Sequence, residues 1–193
     1  PFFGLQISIA IGRDKGTFTQ ECPMYDLISN TTRLQTHIQQ ATGNHLLKAP
    51  MYPKNIEALK GASAVLFLLG CMPSRNGHEP EPSLILNKRS QSVTQPGDLC
   101  CPGGGISAKL DTFMAKTMTL PGFPMWRWPF WPTIKSRSRQ ETGILRLLFS
   151  TSIRESYEEM RLNPFGVRFL GPLPTERLVM FRRDIYPMVG WVS

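Results

Sequence analysis

The sequence predicts an α/β (α+β) protein in a layered arrangement. Three observations carry this. Ala64 to Leu69 and Ser83 to Asn87 read as two buried strands separated by a Pro- and Gly-rich loop. A helical pattern runs from Glu141 through Ile144, Leu145, Leu148, Ile153 and Tyr157 to Leu162. Strand-like runs resume at Val167 to Leu170, Leu178 to Phe181 and Ile185 to Val192. Strands on both sides of one long helix need helical cover to bury their apolar faces.

Taken in order, Tyr25 to Ala41 fits an amphipathic helix with Leu27, Ile28, Leu34 and Ile38 on its apolar side and Gly43 as its stop. Pro50 and Pro53 mark a linker. The domain reading is therefore an N-terminal extension over 1–55 and a main domain over 56–193. Ala64 to Leu69 and Ser83 to Asn87 form a hairpin. Pro96-Gly97 and Pro102-Gly103-Gly104-Gly105 are turns, where glycine lets the backbone approach a ligand closely. A basic, Trp- and Pro-rich segment follows at 112–140, in which Pro121, Pro124, Pro129 and Pro132 forbid a regular helix. Asn163-Pro164 is the expected end of the long helix.

Composition narrows the function classes. With 193 residues and 41% hydrophobic residues the chain can bury a core, which excludes disorder throughout. The longest apolar run, Ala62 to Cys71, is too short to span a bilayer, which takes about 20 residues. Cys22, Cys71, Cys100 and Cys101 show neither a zinc spacing nor a disulfide framework. They read as reduced, partly buried thiols, which places the chain in the cytoplasm or an organelle of similar redox state. His37, His45 and His78 are scattered. Between Thr112 and Ile153 six basic residues face Glu141 alone, so +5 of the net +8 lies in one segment. Such a patch favours phosphates or an anionic surface.

The chemically richest stretch is Arg154-Glu155-Ser156-Tyr157-Glu158-Glu159. On a helix Glu155 and Glu159 lie about 40° apart, with Glu158 in the same sector. Three carboxylates on one face repel one another unless a cation joins them. Mg²⁺ or Mn²⁺ takes such hard oxygen ligands and keeps water on its remaining sites. A metal held this way polarises a diphosphate and activates water. The tetrad Ser152-Ile153-Arg154-Glu155 equally matches a capping box, with Glu158 and Glu159 as solvated charge.

These residues resemble the Nudix family, whose signature is Gly, five residues, Glu, seven residues, then Arg-Glu-U-x-Glu-Glu-x-Gly-U, with U aliphatic. Arg154 to Leu162 matches the second half, with Ser156 in place of the aliphatic residue and Arg161 in place of Gly. Gly105 leads five residues on to Asp111, one methylene shorter than the usual Glu, and the spacer is replaced by Thr112 to Ile153. Leu84-Ile85-Leu86-Asn87-Lys88-Arg89-Ser90 and Pro96-Gly97-Asp98-Leu99-Cys100-Cys101-Pro102-Gly103-Gly104 resemble the text that precedes this signature in the coenzyme A diphosphatase branch. The resemblance covers roughly Ala62 to Trp191.

The resemblance implies a Nudix-type mixed sheet between helices and Mg²⁺ (or Mn²⁺) held by Glu155, Glu158 and Glu159 with a carbonyl of the Gly103-Gly104-Gly105 turn. It implies that Arg154 orients a carboxylate, that Glu155 and Glu158 serve catalysis, and that Arg89 and Ser90 bind substrate with Gly103, Gly104 and Gly105. The expected activity is hydrolysis of the diphosphate linkage in coenzyme A or acyl-coenzyme A. Two alternatives stand beside it: another nucleoside diphosphate derivative as substrate, or a catalytically weak binding module. The partner is a small-molecule diphosphate and not nucleic acid. The insertion at 112–140 is expected over or beside the cleft, with a self-packed loop whose aromatics cover the sheet edge as the alternative, and its stretch 125–132 against an anionic membrane surface as a further contact. Finally, relatives of this kind continue past Gly190. The sequence is therefore expected to be C-terminally incomplete, or residues 1–55 cover the sheet face left open.

Overall fold

The computed structural model describes residues 6–10, 27–48, 52–53, 55–72, 81–89, 97–178 and 183–192. The elements are β1 (Gln6–Ala10), α1 (Thr31–Lys48), a 3₁₀ turn (Ile56–Leu59), β2 (Ser63–Met72), β3 (Glu81–Lys88), β4 (Leu99–Cys100), β5 (Gly103–Gly105), α2 (Ala108–Thr117), α3 (Trp131–Arg137), α4 (Arg139–Met160), a 3₁₀ turn (Pro164–Gly166), β6 (Val167–Pro172), β7 (Glu176–Leu178) and β8 (Arg183–Val192). The strands form one mixed sheet, with main order β1-β3-β2-β8-β6; β4 adds to β3, β5 to β2 and β7 to β8. β2 and β8 pair in parallel and the other pairs are antiparallel. This is the mixed α and β architecture expected, and β2–β3 is the expected hairpin.

β2 sits inside the sheet, and its sequence explains why. Ala64, Leu66 and Leu68 join the large core beneath α4, with Leu145, Leu148, Phe149, Ile153 and Phe169. Leu69 faces the other way, into a second cluster with Leu170, Val189 and Trp191. A strand covered on both faces reads as a continuous apolar run, with no polar alternation to orient it. Leu34 and Ile38 of α1 pack against that second cluster. The Thr42 hydroxyl donates to the Leu170 carbonyl at 2.7 Å, and Gln39 reaches the Phe169 carbonyl at 3.5 Å.

The N-terminal third is therefore part of the main body. β1 pairs with β3, and α1 packs against the second cluster of the sheet. Leu27 to Ser29 are helical, Asn30 is not, and α1 then runs past Gly43, the expected stop, to Lys48. The reason is contact. Gly43 is buried, and a Cβ there would stand 2.5 Å from the Phe130 ring. Glycine admits the insertion to the helix surface rather than ending the helix.

The insertion is more regular than its prolines suggest. It opens within α2, turns through residues 118–130, and re-enters helix at α3, where Pro132 sits in the first turn and loses no hydrogen bond. Met125, Trp128, Trp131 and Ile134 are core residues. The Trp128 ring stands edge-on to Phe169, with centroids 5.0 Å apart. Arg137 donates to the carbonyls of Leu46 and Leu47 at 3.0 and 2.8 Å, so a cation caps the C-terminal end of α1. Much of the segment packs into the core and against α1, and Phe123 reaches Phe165 beyond the end of α4, with ring centroids 5.1 Å apart. Trp126 is exposed but Trp128 and Trp131 are buried, so two of its three indoles are withdrawn from any membrane or base.

α4 begins at a capping box different from the expected one. Ser138 accepts from the Glu141 N–H at 3.2 Å, whereas Ser152 lies buried in mid-helix and donates to the Phe149 carbonyl. The helix ends two residues before Asn163. Arg161 takes the left-handed cap conformation (φ 58°, ψ 31°), and its N–H bonds the Tyr157 carbonyl at 3.0 Å. A side chain in that conformation costs about 1 kcal/mol relative to glycine. The Arg161→Gly variant is therefore expected to melt about 2–4 °C higher, by calorimetry or circular dichroism. An unchanged or lower melting temperature would show that the Arg161 guanidinium, 5.3 Å from the Tyr157 ring centroid, offsets the strain.

A candidate active site on the carboxylate helix

α4 packs across β2 and β5, so its last turns lie beside the glycine strand. β5 pairs with the start of β2, Ala64 opposite Gly104 and Val65 opposite Gly103. Both glycines are needed for close approach. A Cβ on Gly103 (φ +158°) would stand 2.5 Å from the Ala64 carbonyl oxygen, and one on Gly104 would stand 2.5 Å from the Glu155 carboxyl carbon. The segment expected as a turn is thus a short strand, and its missing side chains make room for a carboxylate.

Arg154 is the hub. Its Nε donates to Asp111 at 2.6 Å, Nη2 to the Gly105 carbonyl at 3.0 Å and to Glu155 at 2.9 Å, and Nη1 to Glu158 at 3.1 Å. Asp111 is fully buried and also accepts from the Ser107 N–H at 2.6 Å and the Thr151 hydroxyl at 2.8 Å. The Ser107 bond reaches back over the first turn of α2, as in a capping box. Burial would weaken the hold of Arg154 on its proton. The Asp111 hydrogen bond and the surrounding carboxylates win, and raise its pKa.

Glu159 points along another line, accepting from Asn87 Nδ2 at 3.2 Å and the Gly103 N–H at 3.4 Å. Burial raises its pKa; those two hydrogen bonds and Arg89 oppose the rise, and Glu155 adds to it. Glu155 is raised chiefly by burial, against Arg154 and with Glu158 and Asp111. Glu158 is half-exposed. Four carboxylates, Asp111, Glu155, Glu158 and Glu159, thus stand among two guanidiniums, Arg154 and Arg89, leaving two negative charges. They also crowd the C-terminal end of α4, where the helix dipole disfavours them and the last turn holds no basic residue.

The structure brings together Arg154, Glu155, Glu158, Glu159, Gly103, Gly104 and Gly105. It places Arg89 at the end of β3, near enough for its charge to act on Glu159. Ser90 lies outside the described residues. Two expectations change. Of the Gly103-Gly104-Gly105 carbonyls, one of which was expected to serve a metal, that of Gly105 accepts from Arg154. Nor do the three glutamates converge: among the described residues no three His, Cys, Asp or Glu side chains are close enough to hold an ion. The cause is the Arg154 fork, which draws Glu155 and Glu158 to itself while Asn87 holds Glu159.

Sequence reasoning missed Asn87 and Thr151. Asn87 is buried beside Glu159, and its Oδ1 has no hydrogen-bond partner. A polar residue closing the run Leu84-Ile85-Leu86 was the available signal. Ser156, in the aliphatic position of the signature, is fully buried and satisfied through the Ser152 carbonyl at 2.6 Å. The thiols differ as well: Cys71 is exposed rather than partly buried, while burial pushes Cys101 up to about 11.

The fold and site define a mixed α/β protein with an acidic helix end set against a glycine strand. No protein-family model matches the chain, and a search of curated proteins finds no match. Among the described residues no helix is long and apolar enough to cross a membrane.

The hub makes a stability prediction. Asp111→Ala leaves Arg154 partly buried without its shortest partner. Such a change costs about 3–5 kcal/mol, read as a lower urea midpoint with an unchanged slope. A loss under about 1 kcal/mol would mean that Glu155 and Glu158 suffice for Arg154.

Proposed function

We propose that the chain is a Nudix-type hydrolase that cleaves the diphosphate linkage of coenzyme A-type substrates with the help of Mg²⁺ or Mn²⁺. One observation carries the reading: across 43 residues of sequence, Arg154 gathers Asp111, Glu155 and Glu158 beside a glycine strand that has no side chains to block them. The donor chemistry fits a hard divalent cation. Glu155, Glu158 and Glu159 supply anionic oxygens, the cluster keeps two uncompensated negative charges, and the buried Asn87 Oδ1 is an unused oxygen beside Glu159.

In this reading Glu155, Glu158 and Glu159, held apart by Arg154 and Asn87 in this arrangement, would converge to hold the metal, which would supply charge stabilisation to the diphosphate and a more acidic water. The chain's own residues do the rest. Arg154, fixed by Asp111, keeps Glu155 against Gly104. Glu155, partly buried against Gly104, would take up the proton of the attacking water. Asn87 and the Gly103 N–H hold Glu159 in place. Arg89, whose buried Nε has no partner, offers a guanidinium to a phosphate oxygen. A nucleoside diphosphate derivative remains the alternative substrate, since nothing in this geometry requires a pantetheine arm.

The test is incubation of the protein with Mg²⁺ and a panel of coenzyme A species and nucleoside diphosphate derivatives, with products identified by mass. Phosphopantetheine and a nucleotide half are the expected products. Glu159→Gln is expected to lower turnover at least about 100-fold with the fold retained, and a chelator to do the same to the parent protein. Turnover indifferent to both would remove the metal assignment. Arg89→Ala is expected to raise KM for coenzyme A more than for short nucleotides; equal effects would make Arg89 structural.

A further inference from the structure

A second charged centre lies at the other end of α4. A cavity of about 330 Å³ is lined by Thr119, Trp131, Lys135, Arg139, Thr142 and Arg146. That volume is at the small end of ligand pockets, which start at roughly 300 Å³. Arg139, Thr142 and Arg146 are spaced three and four apart, so they form one stripe of α4, and Lys135 comes from the last turn of α3. Among the described residues none of the three cations makes an ion pair. The Arg146 Nε is buried and has no hydrogen-bond partner. Arg139 is the first residue of α4, where the positive end of the helix dipole disfavours it. Three cations around one hollow repel one another, and among the described residues no ion pair answers them, although Glu141 stands in the same first turn as Arg139.

We propose that this cavity is an anion site for a phosphate monoester, separate from the carboxylate centre. The guanidiniums of Arg139 and Arg146 bind phosphate oxygens in forked geometry, Lys135 adds a point charge, and Thr119 brings a hydroxyl. Thr142 already donates to the Ser138 carbonyl at 2.5 Å and serves the site only as a wall. From Arg146 to Glu155 is nine residues, about 14 Å along the helix and about half a turn around it. A small ligand in the cavity therefore does not touch the glutamates, and the proposal stands whether or not the chain hydrolyses diphosphates.

The test measures binding directly, with EDTA present so that any metal site is silent. Inorganic phosphate and glycerol 3-phosphate are titrated calorimetrically into the parent protein, an Arg139→Gln/Arg146→Gln variant and Glu159→Gln, with chloride matching the ionic strength. The expected result is saturable binding to the parent and to Glu159→Gln, with a dissociation constant raised about tenfold or more in the double variant. Thermal melting guards against misfolding. Without phosphate the double variant should melt no lower than the parent, since it loses repulsion; with phosphate only the parent should gain. Vesicles containing phosphatidic acid form a parallel arm, and binding there that the double variant loses, without binding of the soluble esters, identifies the source as a lipid headgroup. Equal affinity of parent and variant, affinity lost in Glu159→Gln instead, or no binding in either arm overturns the proposal.

Discussion

The Arg154–Asp111 pair is the interaction on which the rest of this site depends. Asp111 is buried without residual exposure, a costly place for a carboxylate. It is tolerated because Arg154, the Ser107 N–H and the Thr151 hydroxyl fill its acceptor positions. The pair joins α2 to α4 across the whole insertion, and it fixes the plane of the guanidinium. That plane then decides where Glu155, Glu158 and the Gly105 carbonyl are held. Lysine could not do this, having neither the plane nor the number of donors in a fixed fork.

The second constraint is the lack of side chains on β5. Gly103 and Gly104 let β5 pair with β2 and still leave room for a carboxylate from the helix above. The insertion meets the same requirement of close packing elsewhere. It reaches α1 at Gly43 and at the carbonyls of Leu46 and Leu47, and sends Met125, Trp128 and Trp131 into the core. A segment that reads as an appendage is thereby tied into both helical layers.

The charges of α4 run against its dipole at both ends. Arg139 stands at the positive end, with Arg146 further along on the same stripe, and three glutamates stand at the negative end. Glu141 and the Ser138 cap relieve the first end in part; Arg154 relieves the second in part. An isolated helix would prefer the opposite arrangement. The proposed cation at one end and the proposed anion at the other both rest on this distribution.

Much of this was legible in the residues themselves. The β2–β3 hairpin and α4 follow from the apolar runs Ala64–Leu69 and Ile144–Leu162, because period and length are local properties. The common face of Glu155, Glu158 and Glu159 follows from helix geometry alone. Other features are decided between elements and leave no local mark. Whether Asp111 meets Arg154 depended on where α2 lies beside α4, and the two stand 2.6 Å apart. Gly43 reads as a helix stop until Phe130 is seen against it, and Trp128 and Trp131 read as a cleft cover or a membrane contact until they are seen in the core. Asn87 acquires its role only because β3 ends beside Glu159. Sequence determined which residues carry charge, which segments are helix or strand, and which carboxylates share a face. Tertiary structure decided which charges meet, since burial and direction belong to pairs of elements that the chain brings together from far apart.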